Sequence, residues 1–156
     1  MKKSNPTTTK LPNTLVGVSG EYFVAAELSR RGYVASITLR NTRGVDILAT
    51  NSKASKHVSI QVKANNTGKR DWLLSVKSET EFSKSHFYVF VNLTKCGKMP
   101  EYFIVPSKVV ANFIYKNHRE WLAAKGRHGQ KHEDTPMRRY QILDDKYRDK
   151  WQLLGL

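Results

Sequence analysis

Apolar and polar residues alternate over His57–Lys63, with Val58, Ile60 and Val62 separated by Ser59 and Gln61. A period of two predicts a strand with one buried face. The polar stretch 51–56 before it reads as a hairpin loop, and Val45-Asp46-Ile47-Leu48-Ala49 before that as the partner strand. Tyr33–Leu39 is a further strand, joined to it by a turn at Asn41-Thr42-Arg43-Gly44. Upstream, Tyr22, Phe23, Ala26 and Leu28 make one broad apolar helical face. Ser19 is the expected N-cap, and Arg30-Arg31-Gly32 supply the basic last turn and the glycine stop. Trp72–Val76 is the next strand. Phe87–Val91 is apolar throughout, as in a strand covered on both faces. Tyr102–Val105 is another strand, stopping at Pro106. Residues 107–124 carry Val109, Val110, Phe113, Ile114, Trp121 and Leu122 at helical spacing. A polar loop over Lys125–Met137 and a closing helix over 144–154, with Tyr147, Trp151 and Leu154, complete the chain. Residues 1–13, rich in Thr, Asn, Pro and Lys, read as a basic arm, and 14–156 as one domain.

Composition narrows the function. The 156 residues carry 27 Lys and Arg against 13 Asp and Glu, a net charge of +14. Such a balance suits a polyanionic partner, because neutralising phosphates releases counterions. A hydrophobic content of 39% is a globular value and argues against a disordered basic tail. One cysteine, Cys96, excludes an intramolecular disulfide and any zinc site needing two thiolates. No apolar run is long enough to span a membrane, and no apolar stretch follows the N-terminal lysines. A cytoplasmic location is expected.

Residues 1–78 hold 13 basic residues and only four acids, Glu21, Glu27, Asp46 and Asp71. Asp46 interrupts an apolar strand, where an unpartnered carboxylate is costly to bury. Gln61 and Lys63, two apart, share one strand face. If the two strands form the hairpin their connection suggests, Asp46 lies near the Gln61–Lys63 end. A carboxylate, an amide oxygen, the Val62 main-chain carbonyl and an ammonium then share one corner of a sheet. That oxygen set suits Mg2+ (or Mn2+), which keeps several waters. Lys63 would orient or help deprotonate a water, or neutralise charge developing on phosphate.

Helix with Gly20-Glu21, then Gly44-Val45-Asp46-Ile47-Leu48, then Gln61-Val62-Lys63, then an apolar strand: over about 16–105 this order resembles the PD-(D/E)XK nucleases, with Val45 at the Pro position and Gln61 for the usual acid. The resemblance implies an α/β, restriction-endonuclease-like three-layer core with a central mixed sheet flanked by helices and a C-terminal helical extension over 107–156. It also implies a metal-dependent DNA endonuclease. By position, Asp46 matches the metal-binding Asp, Gln61 the acid, Lys63 the motif Lys and Glu21 the helix Glu of members akin to archaeal Holliday-junction resolvases. Duplex or branched DNA is the expected partner, and a homodimer fits the same reading.

Arg40, Arg43, Lys69, Arg70, Lys125, Arg127, Lys131, Arg138 and Arg139 are the candidate phosphate contacts, with a solvated surface as the plain alternative. Trp72, after a basic turn, is a candidate to stack on a base. His57, His86 and His118 read as surface or core-edge residues. Because Gln61 removes a charge, a non-catalytic DNA-binding module on the same fold is the alternative function.

Overall fold

The computed structural model describes residues 11–39 and 44–156. Helix α1 spans Asn13–Arg30. It starts six residues before Ser19, with Pro12 at the N-cap and Leu15 and Val16 donating to the Pro12 carbonyl at 3.0 and 3.1 Å. Its end is the one expected. Gly32 N–H donates to the Ser29 carbonyl and Tyr33 N–H to that of Leu28, a Schellman closure.

Among the described residues seven strands follow: β1 (Val34–Ile37), β2 (Ile47–Thr50), β3 (His57–Asn65), β4 (Asp71–Ser75), β5 (His86–Asn92), β6 (Glu101–Pro106) and β7 (Met137–Gln141), with α2 (Ser107–Ala123) between the last two. Five of them form one sheet in the order β1-β2-β3-β5-β6, while β4 and β7 form a small antiparallel sheet. The β1–β2 and β2–β3 pairs and β5–β6 are antiparallel; β3 and β5 are parallel. A mixed central sheet flanked by helices is therefore the architecture, as expected.

The period-two pattern of β3 puts Val58, Ile60 and Val62 in one core and leaves Ser59, Gln61 and Lys63 on the other face. Ile60 and Val62 join Ile47, Val89, Val91 and Ile104 beneath Val24 and Leu28 of α1. On the opposite face Tyr88, Phe90, Phe103 and Val105 meet Val110 and Ile114 of α2, with Trp72, Leu74 and Tyr140 of the small sheet. The rings form a packed ladder: Phe90 lies 5.0 Å from Trp72 and 4.5 Å from Tyr140. Each such buried ring contributes about 1.5–3 kcal/mol. Trp72 is only 4% exposed, so it is a core residue and has no face left for a base.

The C-terminal region departs from expectation. The stretch 137–141 is strand β7, pairing with β4 from Asp71↔Gln141 to Ser75↔Met137. Its inward residues are Arg138 and Tyr140. Of the closing helix, only a 3-10 turn at Trp151–Leu154 forms. The segment before it lies along β6: Ile104 N–H donates to the Tyr147 carbonyl and Asp149 N–H to the Tyr102 carbonyl, both at 3.0 Å. Backbone groups on the β6 edge thus take partners that a helix would have kept for itself. Asp149 has φ +51°, which also interrupts a helix. Among the described residues, no helix is long and apolar enough to cross a membrane.

Candidate active site at the open edge of strand β3

Strand β2 stops short of its neighbour. Its register with β3 ends at Ile47↔Ile60, whereas β3 continues beside β5 to Asn65↔Asn92. Beyond Ile60, β3 therefore has an edge without a β2 partner. Asp46 stands at this point. Its N–H donates to the Ile60 carbonyl at 2.9 Å, and its own carbonyl accepts from Thr38 N–H at 2.9 Å. The Thr38 hydroxyl donates to the Val45 carbonyl at 2.7 Å. Gly44, at φ +71°, takes a left-handed turn into this segment that a side chain would strain.

So held, the Asp46 carboxylate accepts the Val62 N–H through Oδ2 at 2.7 Å. The side chain replaces the strand partner that β2 no longer supplies. A residue's N–H and C=O point to the same side of its strand, so the Val62 carbonyl also faces this edge. Gln61 and Lys63 flank it on the sheet face away from α1. Burial pushes the Asp46 carboxyl above its ordinary value; the Val62 N–H, the Lys63 ammonium and His86 pull the other way and offset burial in part. Among the described residues, the Val62 N–H is the hydrogen-bond donor to this carboxylate, and it engages Oδ2 rather than Oδ1.

Glu21 comes from the other layer. Helix α1 meets β3 at Gly20, where an added Cβ would lie 2.5 Å from the Ala64 Cβ. Only a glycine permits so close a crossing. It brings the helix backbone beside Val62–Ala64 and leaves the next residue, Glu21, half-buried there. Asp46, Gln61, Val62 and Lys63 are thus gathered at one edge, and Glu21 follows the point where α1 touches the same stretch.

Three further residues enter through the parallel β3–β5 register, which sets Ser59 beside His86, Gln61 beside Tyr88 and Lys63 beside Phe90. Gln61, Ser59, His86 and Tyr88 line a cleft of about 520 Å³, closed by Gly44, Val45 and the segment 75–83. The Ser59 hydroxyl lies 2.9 Å from His86 Nδ1. Burial depresses the His86 imidazole's pKa, with Asp46 pulling it up. Burial likewise raises the Tyr88 phenol, against the hydrogen bond of Ser78. Sequence patterning put His86 at the surface or core edge and Tyr88 in the core; only the register between residues 27 apart places them beside Gln61.

The cationic candidates divide. Lys69 is exposed in the turn that follows β3, beyond Lys63. Lys125, Arg127 and Lys131 lie on a turn after α2, held by a Lys125↔Lys131 bridge. Arg70 pairs with Glu101 at 3.4 Å and Asp145 at 2.9 Å and lies over the Phe103 ring. Arg139 forks onto Asp71, with Nε 2.9 and 2.8 Å from its two oxygens. Arg138 is 5% exposed, bonded to Glu79 and to the Thr135 and Met137 carbonyls. Its guanidinium is spent inside the protein. Arg40 and Arg43 lie outside the described residues.

Among the described residues, no group of three or more His, Cys, Asp or Glu side chains could hold a metal ion. The oxygens at the β3 edge are instead one carboxylate, one amide and one peptide carbonyl.

No protein-family model matches the chain, and no curated protein matches it. Among solved structures it is similar to Hjc, a Holliday junction resolvase from Archaeoglobus fulgidus. The two are 12% identical, with 80% of this chain and 83% of that one covered and a TM-score of 0.46.

Proposed function

We propose that the protein is a divalent-metal-dependent nuclease that hydrolyses DNA phosphodiester bonds at the open edge of β3. The observation that carries this reading is the Asp46 carboxylate anchored through Oδ2 on Val62 N–H at 2.7 Å, with Gln61 and Lys63 alongside. The order of the motifs, which resembles that of PD-(D/E)XK nucleases, supports it.

The residues fit a hard cation. The Asp46 carboxylate, the Gln61 amide oxygen and the Val62 carbonyl are oxygen donors, and Mg2+ or Mn2+ completes such a set with water. A carboxylate that burial disfavours as an anion also gains by facing positive charge. Held by Asp46, Gln61 and the Val62 carbonyl, a divalent cation would supply positive charge to the scissile phosphate. Lys63 acts on the same phosphate: its ammonium donates hydrogen bonds and offsets charge that grows as the phosphorus becomes five-coordinate. It also orients the water for in-line attack. Glu21 adds a carboxylate from the α1 side. Lys69 and the 125–131 turn hold flanking phosphates without reading bases.

Purified protein with Mg2+ or Mn2+ should nick plasmid or branched DNA. Asp46→Ala and Lys63→Ala should abolish nicking, and persistence in both would remove the proposed site. A neutral amide at Gln61 favours a second reading, a DNA-binding module without cleavage. Calorimetric titration with Mn2+ separates the two: heat that vanishes in Asp46→Ala supports the enzyme, and absence of heat in the wild type supports the module.

A further inference from the structure

The cleft beside Gln61 has properties that the cutting reaction does not use. Its volume, about 520 Å³, falls within the range of small-molecule sites. Five of its twelve lining residues carry hydroxyls: Ser59, Ser75, Ser78, Ser83 and Tyr88. The formal charges there, Lys77 and Glu81, are opposite in sign. Near-neutral and rich in donors and acceptors, the cleft suits an uncharged polar ring better than a phosphate.

Flat surfaces are also present. His86 and Tyr88 meet edge to face at 5.5 Å between centroids. Phe82, on the cleft wall, is 44% exposed, so its ring offers the cleft an apolar surface that a base could cover. Ser59 occupies Nδ1 of His86, so Nε2 is the ring nitrogen that a ligand would meet. The cleft shares Gln61 with the proposed cutting site and is lined by Val45, next to Asp46, so the two adjoin.

We propose that this cleft receives one unpaired nucleotide of the DNA strand, its base lying against Phe82 and reaching the serine hydroxyls and His86 with its polar edge. This rests on the nuclease reading and deepens it: the substrate is DNA with a base free of its stack, at a branch, bulge or flap. Extruding a base from an intact duplex costs a few kcal/mol, whereas an already unpaired base avoids most of that cost. The cleft therefore discriminates in favour of interrupted DNA without reading sequence.

The test is equilibrium binding in EDTA, where no cleavage occurs. It uses a duplex with one bulged 2-aminopurine and the same duplex fully paired. The wild type should bind the bulged duplex at least about fivefold more tightly, the effect of one aromatic stack, and change the probe's fluorescence on binding. Phe82→Ala, an exposed position outside the cutting site, should remove the preference and the fluorescence change. Affinity for the paired duplex should stay the same. His86→Ala should weaken the preference as well. Equal affinity for the two duplexes, or a preference unaltered in both variants, overturns the proposal. Preference without cleavage in Mg2+ or Mn2+ would sink the nuclease reading and leave the cleft standing; cleavage without preference does the reverse.

Discussion

The crossing of α1 on β3 gives a prediction with a sign that is set by one distance. Gly20→Ala places a Cβ 2.5 Å from the Ala64 Cβ and 3.4 Å from Val62 Cγ1. Carbon atoms sit comfortably at about 3.5–4.0 Å, so the overlap with Ala64 is on the order of 1 Å. Neither Cβ has a rotamer to change, since both atoms are fixed to backbone. Relief requires the helix to move off the sheet. Overpacking of this kind costs about 1–3 kcal/mol, against a gain of about 1 kcal/mol when alanine replaces glycine in a helix. The net effect is a loss of up to about 2 kcal/mol. At about 2–4 °C per kcal/mol for a chain of this size, the melting temperature falls by several degrees. Gly17→Ala in the same helix is the control, because nothing lies within 4 Å of its added Cβ. It should gain about 0.5–1 kcal/mol and melt higher. Circular dichroism melts of the two variants read the difference directly. Ala64→Gly in the Gly20→Ala background should restore most of the loss. A Gly20→Ala protein that melts above the wild type, or is not rescued by Ala64→Gly, would refute the crossing and with it the placing of Glu21.

Four variants elsewhere in the fold have outcomes of their own. Asp46 has its pKa raised by burial, so the folded chain bears a cost when this group is charged, and that cost disappears as pH falls through its folded pKa. Asp46→Asn should therefore raise the urea midpoint near neutral pH, and the gain should fade toward about pH 4. Arg138 is buried against Glu79, and removing one partner of such a pair costs about 3–5 kcal/mol, so Arg138→Ala should unfold much more easily. Arg139→Ala, at an exposed pair with Asp71, should cost no more than about 1 kcal/mol in the same denaturant series. Replacing Lys125, Arg127 and Lys131 by alanine should weaken DNA binding evenly across sequences. It should also flatten the slope of log K against log salt by about 0.9 for each phosphate no longer neutralised, read by fluorescence anisotropy over a salt series.

What could be read from the sequence was what local pattern encodes. Strand β3 was legible because one face is apolar at every second residue, and Phe87–Val91 because both faces are covered. Asp46 stood out as a carboxylate in an apolar run, and the structure does pair it with β3. What escaped depends on residues far apart. Strand β7 also alternates, but its inward residues are Arg138 and Tyr140. Arginine reads as surface until Glu79, 59 residues away, is seen to satisfy it. The stretch 144–154 has a helical apolar period, yet its backbone serves the β6 edge. Ser19 has the chemistry of a cap, but the helix continues through it to Pro12 because Val16 already packs inside. His86 and Tyr88 reach the cleft only through a parallel register that no local pattern records. Among the cations, Arg138 and Arg70 look like phosphate contacts in sequence and are ion-paired within the fold.

The central claim is that charge on Asp46 at the β3 edge is needed for phosphodiester hydrolysis. Its most direct test is single-turnover cleavage of a labelled branched duplex in Mn2+ by the wild type and by Asp46→Asn. That variant keeps an oxygen for the Val62 N–H but loses the charge, and its NH2 takes the place of the oxygen that would face a cation. Cleavage by the wild type and none by a folded Asp46→Asn is the predicted result. Cleavage at equal rates in both would contradict the account.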